Sequence, residues 1–131
     1  MFEYNTTVRM FNTDAAGISF FASAFLYAHE CYEAFMEEHF PLGQMLDEGK
    51  YLVPIVHAEA DYKISLKLSQ KIVVQMSLGE VKWSSFVFNY NVFDPDGNEA
   101  ITIEHVHAVI DTKKRKPMRI PAELKEILEL L

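Results

Sequence analysis

The chain has 131 residues, half of them hydrophobic and 13% aromatic, with a formal net charge of −7. That is material for one folded domain over residues 1–131 with its own core, and the negative charge argues against a nucleic-acid partner, which needs clustered Lys and Arg. One cysteine, Cys31, excludes an internal disulfide and a four-thiolate zinc site. No stretch approaches the roughly 20 apolar residues of a membrane span, the first residues lack a basic start and an apolar run, and a reducing cytoplasm is the expected location.

Residues 2–9 carry Phe2, Tyr4, Thr6, Thr7 and Val8 in loose alternation and predict a strand. A short loop over 11–20 follows. From Phe21 to Glu38, apolar residues recur at three and four, as in Phe21, Phe25, Ala28, Tyr32 and Phe35, and predict a helix roughly 27 Å long. Its first half is apolar on nearly every side, which predicts a helix enclosed by other elements. Pro41, Gly43 and Gly49 make 41–50 an irregular connection. Strands are expected over 52–64, 71–78, 84–93 and 99–111. Asp94-Pro95-Asp96-Gly97 is a turn signal between the last two. Pro121 to Leu131 forms a short helix with Leu124, Ile127, Leu128 and Leu131 on one face. Strand, long helix, four antiparallel strands and a short helix make an α+β chain with a five-stranded antiparallel sheet around one long helix. Exposed strand edges and a second sheet face predict a homo-oligomer.

Asn12-Thr13-Asp14-Ala15-Ala16-Gly17-Ile18-Ser19-Phe20-Phe21 ends the first strand and opens the helix. The segment resembles the signature of the 4-hydroxybenzoyl-CoA thioesterase family, whose fold is the hotdog. His29-Glu30-Cys31-Tyr32-Glu33 and Pro54-Ile55-Val56-His57-Ala58 resemble more closely its branch that hydrolyses 1,4-dihydroxy-2-naphthoyl-CoA, in menaquinone and phylloquinone synthesis. The resemblance implies an acyl-CoA substrate, no cofactor and no metal, and a dimer of dimers. It implies that Asp14 is the catalytic carboxylate, that Gly17 permits close backbone approach, and that the Phe21 backbone N–H polarises the thioester carbonyl. Asp14 either attacks the carbonyl or deprotonates water.

Part of the family carries a His where this chain has Phe21, so no acid–base imidazole is expected there. Ser65, Ser69 and Gln70 stand where the family often has Pro, Gly and Asp. Phe20 and Phe25 are candidates for a flat acyl pocket, His57 for the pocket or a subunit interface, and Lys82, Ser84 and Ser85 for CoA contacts. Taken alone, Asp14 reads first as a helix cap or turn residue, and the family pattern around it reverses that order. His105 and His107 share one strand face without a third metal ligand placed by sequence, and His29 and Glu30 read as a structural hydrogen-bond network. Other classes open at this point are a hotdog hydroxyacyl dehydratase, for which His29 and His57 would supply the imidazole, and a non-catalytic acyl-binding protein.

Overall fold

The computed structural model describes residues 1–131. β1 (Phe2–Thr7) leads through a 3-10 turn at Met10–Asn12 and a loop into α1 (Ser23–His39). Then follow α2 (Leu42–Glu48), β2 (Tyr51–Leu52), β3 (Ile55–Tyr62), β4 (Lys71–Val81), β5 (Ser85–Phe93), β6 (Glu99–Ala108), β7 (Ile110–Asp111) and α3 (Ala122–Leu128). Five strands form one antiparallel sheet in the order β1-β4-β5-β6-β3. β2 and β7 form a separate two-stranded ribbon.

Period-two alternation decides which sheet face is buried. Ile72, Val74 and Met76 of β4, Phe86, Phe88, Tyr90 and Val92 of β5, and Ile101 and Ile103 of β6 all face the core. Against them α1 lays Ala24, Tyr27, Ala28, Cys31, Tyr32, Phe35 and Met36, a stripe at helical spacing. Each large side chain so buried stabilises the fold by roughly 1.5–3 kcal/mol. Burial pushes the Cys31 thiol up to about 12, so it stays a neutral core group.

The structure corrects three expectations. Residues 41–50 are not irregular: α2 occupies 42–48, because Leu42 and Met45 recur at three and pack on the core. Pro41 and Gly49 punctuate that helix, with Gly49 at φ 61° closing its C-terminus. The stretch 52–64 splits into β2 and β3, and 99–111 into β6 and β7, because β2 leaves the main sheet to pair with β7. And α1 is open on one side: Phe21, just before it, is 62% exposed, and Leu26 is 50% exposed.

The core face of β6 ends in two imidazoles, His105 and His107, each 1% exposed. His107 Nδ1 donates to the Val53 carbonyl at 2.9 Å, leaving Nε2 without a partner, and neither ring nitrogen of His105 has one. Burial depresses both to about 4 from 6.5, and for His105 the neighbouring imidazoles add to it. An unfolded chain protonates these rings near 6.5, the folded chain only near 4. Their neutral state therefore contributes full stability above pH 6.5, and that contribution declines as pH falls toward 4. Urea midpoints are expected to drop by an amount equivalent to a few kcal/mol across this window, and His105→Phe is expected to flatten the profile. Parallel profiles for both proteins would refute the assignment.

Candidate active site at the amino end of the long helix

The loop between β1 and α1 is folded on itself by backbone bonds. The Asp14 N–H donates to the Ile18 carbonyl at 3.0 Å, and the Gly17 N–H donates to the Asp14 carbonyl at 3.0 Å. Asp14 Oδ1 accepts the Ala16 N–H at 2.8 Å, an Asx-type turn. The other carboxylate oxygen has no partner in the chain, and the residue is exposed. Asp14 does not cap α1: the helix begins after Ala22 with no capping side chain. Its role is that of a carboxylate presented on a turn.

Gly17 sits at φ +74°, which the turn requires and which glycine adopts without strain. A Cβ there would meet nothing within 4 Å, so the requirement within the chain is conformational rather than one of close approach.

Asn12 anchors the other side of the loop. It is 1% exposed, and its side-chain Oδ1 accepts the Arg9 N–H at 3.0 Å. Its carbonyl accepts both the Phe20 N–H at 2.7 Å and the Ser23 hydroxyl at 2.9 Å. Ser19 Oγ pairs with the Tyr27 hydroxyl at 2.8 Å. These ties hold the first turn of α1 beside the Asp14 turn. The N–H groups of Phe21 and Ala22 donate to no group in the chain. They are the free amides of an uncapped helix start, with the partial positive charge of such a terminus. Asp14, Gly17 and Phe21 thus lie on one loop that leads into α1, with Phe20 packed on Phe21 at a ring separation of 4.6 Å. Phe25 is turned inward, against His105 at 6.0 Å.

The remaining candidates lie elsewhere. Lys82, Ser84 and Ser85 sit at the β4–β5 turn, whereas the Asp14 loop borders the start of β4 through the Ile18–Lys67 bridge. β4 is 11 residues long, so about 35 Å of strand separates the two places in one copy. His57 pairs across from Val106, and Glu59 from Glu104, on the sheet face away from α1. Its Nε2 and the Glu59 and Glu104 carboxylates lie within 4.8 Å of one another, and such a group could hold a cation. A hydrogen bond between the two carboxylates holds Glu59 below the usual range and Glu104 above it. His29 is half-exposed beside Glu33 at 3.8 Å, and a Glu30 carboxylate oxygen is buried without a partner.

Two cavities escaped the sequence reading. One, of about 380 Å³, opens beneath α2 and is lined mainly by Tyr32, Leu42, Met45, Leu46, Leu52, Val53 and Ile55, with His29 and His107. The spacing of Leu42, Met45 and Leu46 was the available signal, masked by Pro41 and Gly43. The other, of about 330 Å³, is lined by Arg119, Ile120, Pro121, Ala122 and Lys125. Beside it, the Ile120 N–H bonds to the carbonyl of Trp83, whose residue is 65% exposed.

Residues 8–128 match the thioesterase-like superfamily. The chain belongs to that family. It is 32% identical over 124 residues to a 1,4-dihydroxy-2-naphthoyl-CoA hydrolase of Gloeothece citriformis, covering 92% of this chain and 87% of that protein. Its fold superposes on a 1,4-dihydroxy-2-naphthoyl-CoA thioesterase from Synechocystis with a TM-score of 0.92 at 21% identity, covering 99% and 96% of the two chains. A gentisyl-coenzyme A thioesterase matches with a TM-score of 0.83 at 25% identity, covering 94% and 98%. The antiparallel sheet with helices is the hotdog-like fold of these thioesterases.

Gly17→Ala is expected to cost about 1–2 kcal/mol, the penalty for a Cβ in the left-handed region. A urea unfolding series measures it, and a stability equal to wild type would refute the conformational requirement.

Proposed function

We propose that this CoA thioester hydrolase acts on an aromatic acyl-CoA, with 1,4-dihydroxy-2-naphthoyl-CoA the preferred substrate. The observation that carries the reading is an exposed Asp14 carboxylate on the same short loop as the free N–H of Phe21 at the start of α1. The thioester oxygen accepts that N–H, and the developing oxyanion is held there. In one route Asp14 takes a proton from water, the hydroxide adds to the carbonyl, and collapse expels the CoA thiolate, which recovers the proton. In the other, Asp14 itself adds, the thiolate leaves, and water hydrolyses the resulting anhydride. Neither route calls on a metal or cofactor. The aromatic preference is supported by the relatives' substrates and by the apolar cavity beneath α2, which suits a flat ring system. Arg119 and Lys125, with exposed Trp83 nearby, suit the phosphates and base of CoA.

The proposal includes assembly: residues 1–131 form one hydrolase unit, and two units join through β3, giving in turn a dimer of dimers. β3 pairs with β6 on one edge only, and it is exposed on both faces, with Val56 at 60%. An unpaired strand edge of this kind is a template for a second strand. Antiparallel pairing there reverses the second copy. It carries the β4–β5 turn and the α2 cavity of one copy toward Asp14 of the other, which accounts for their separation within a single chain. No helix is long and apolar enough to cross a membrane, and work in the cytoplasm is part of the proposal.

Purified protein is expected to release thiol from aromatic CoA thioesters faster than from short-chain ones, with Asp14→Asn folded and nearly inactive. A mutant with wild-type turnover sinks the assignment of Asp14, and no release by the wild type from any thioester sinks the whole reading. In sedimentation equilibrium the mass should be at least twice 15.1 kDa, and four times it for the full assembly; a 15.1 kDa species at micromolar concentration rules the assembly out.

A further inference from the structure

The start of α1 carries two free backbone donors, the N–H groups of Phe21 and Ala22. The proposed mechanism uses the first. What fixes the second comes from the far end of the edge strand. Tyr62, the last residue of β3, donates its phenolic O–H to the Phe21 carbonyl, across 41 positions of sequence. The same carbonyl receives the Ala24 N–H at a long 3.4 Å, so the phenol is its short partner.

The Phe21 carbonyl and the Ala22 N–H belong to one planar trans peptide and point in opposite directions. Holding the carbonyl therefore fixes the direction of the N–H. A hydrogen bond accepted at the carbonyl also polarises the peptide and makes its N–H a stronger donor. From the other side the Asn12 carbonyl holds the Phe20 N–H and the Ser23 hydroxyl, so the turn is clamped on both flanks of this peptide. Partial burial raises the Tyr62 hydroxyl above its ordinary value of 10, and it remains a donor at neutral pH.

We infer that Tyr62 is a positioning residue for thioester hydrolysis: through the Phe21 carbonyl it aims and polarises the Ala22 N–H, which serves with the Phe21 N–H as a second oxyanion donor. This rests on the hydrolase mechanism proposed above. It gives the edge strand β3 a direct mechanical link to the site, because the residue that closes the strand also grips the turn holding both donors.

Tyr62→Phe removes the hydroxyl and keeps the ring. Because the side chain is half exposed, the variant is expected to fold with an unfolding midpoint close to wild type. Its kcat on an aromatic CoA thioester should fall about tenfold or more, with KM within twofold, since the donor acts on the transition state. In parallel, the Ala22 amide resonance in a nitrogen–proton correlation spectrum should shift upon Tyr62→Phe, while amides of α3 stay in place. An unchanged kcat, or an Ala22 resonance that does not move, overturns the inference while leaving the Asp14 mechanism standing. A wild type inactive on every thioester, with an Ala22 resonance that still shifts, supports the positioning of the amide and overturns the substrate reading instead.

Discussion

The burial of one face of α1 against the sheet is the constraint on which the rest depends. Tyr27, Cys31, Phe35 and Met36 have no other place to leave water, and Val74, Met76, Phe88 and Tyr90 need the same cover. Once the helix is laid down, its first turn has a fixed position relative to the strand ends. The loop from Val8 to Ala22 must close the gap, and it does so through backbone bonds within itself and to the 66–70 segment. Among the groups it leaves without a partner are one oxygen of the exposed Asp14 carboxylate and the amides of Phe21 and Ala22.

That economy explains how a site for polar chemistry coexists with a dry core. The cap position of α1 is Ala22, which has no side chain to reach the first turn. The N–H groups of Phe21 and Ala22 precede the helical bonding and keep their donor capacity. Ser23, the first helical residue, donates its hydroxyl to the Asn12 carbonyl. The two buried imidazoles of β6 add a second tension. They sit in the core as neutral rings with unpartnered nitrogens, and so tie folding to pH.

The open side of α1, the bare edge of β3 and the distance between the two ends of β4 belong together. One copy of the chain leaves apolar surface on Phe21, Leu26 and Val56, and separates its carboxylate from its cationic pocket. A reversed neighbour along β3 would resolve both at once. Tyr62 then stands at the junction, at the end of the strand that would pair and in contact with the turn that would react.

Local pattern was enough to locate much of this. The alternation of β4 and β5, the helical recurrence from Phe21 onward and the Asp-x-x-Gly turn are all set by neighbours in sequence, because pleat, helix pitch and turn conformation act over a few residues. Asp14, Gly17 and Phe21 were legible for the same reason: they lie within one loop. α2 was not, because Pro41 and Gly43 speak for a loop until Met45 is seen to have a core to enter. Nor was the cavity under it, or the burial of His105 and His107 on the core side; the alternation of 52–64 did put His57 with Glu59 and opposite Ala58, as the register of β3 has it. The cavity and that burial depend on which strand lies alongside and which face the helix covers. The contact of Tyr62 with the Phe21 carbonyl is the plainest case. Neither residue signals the other, and only the packing of an edge strand beside a helix start, 41 positions apart, brings donor to acceptor.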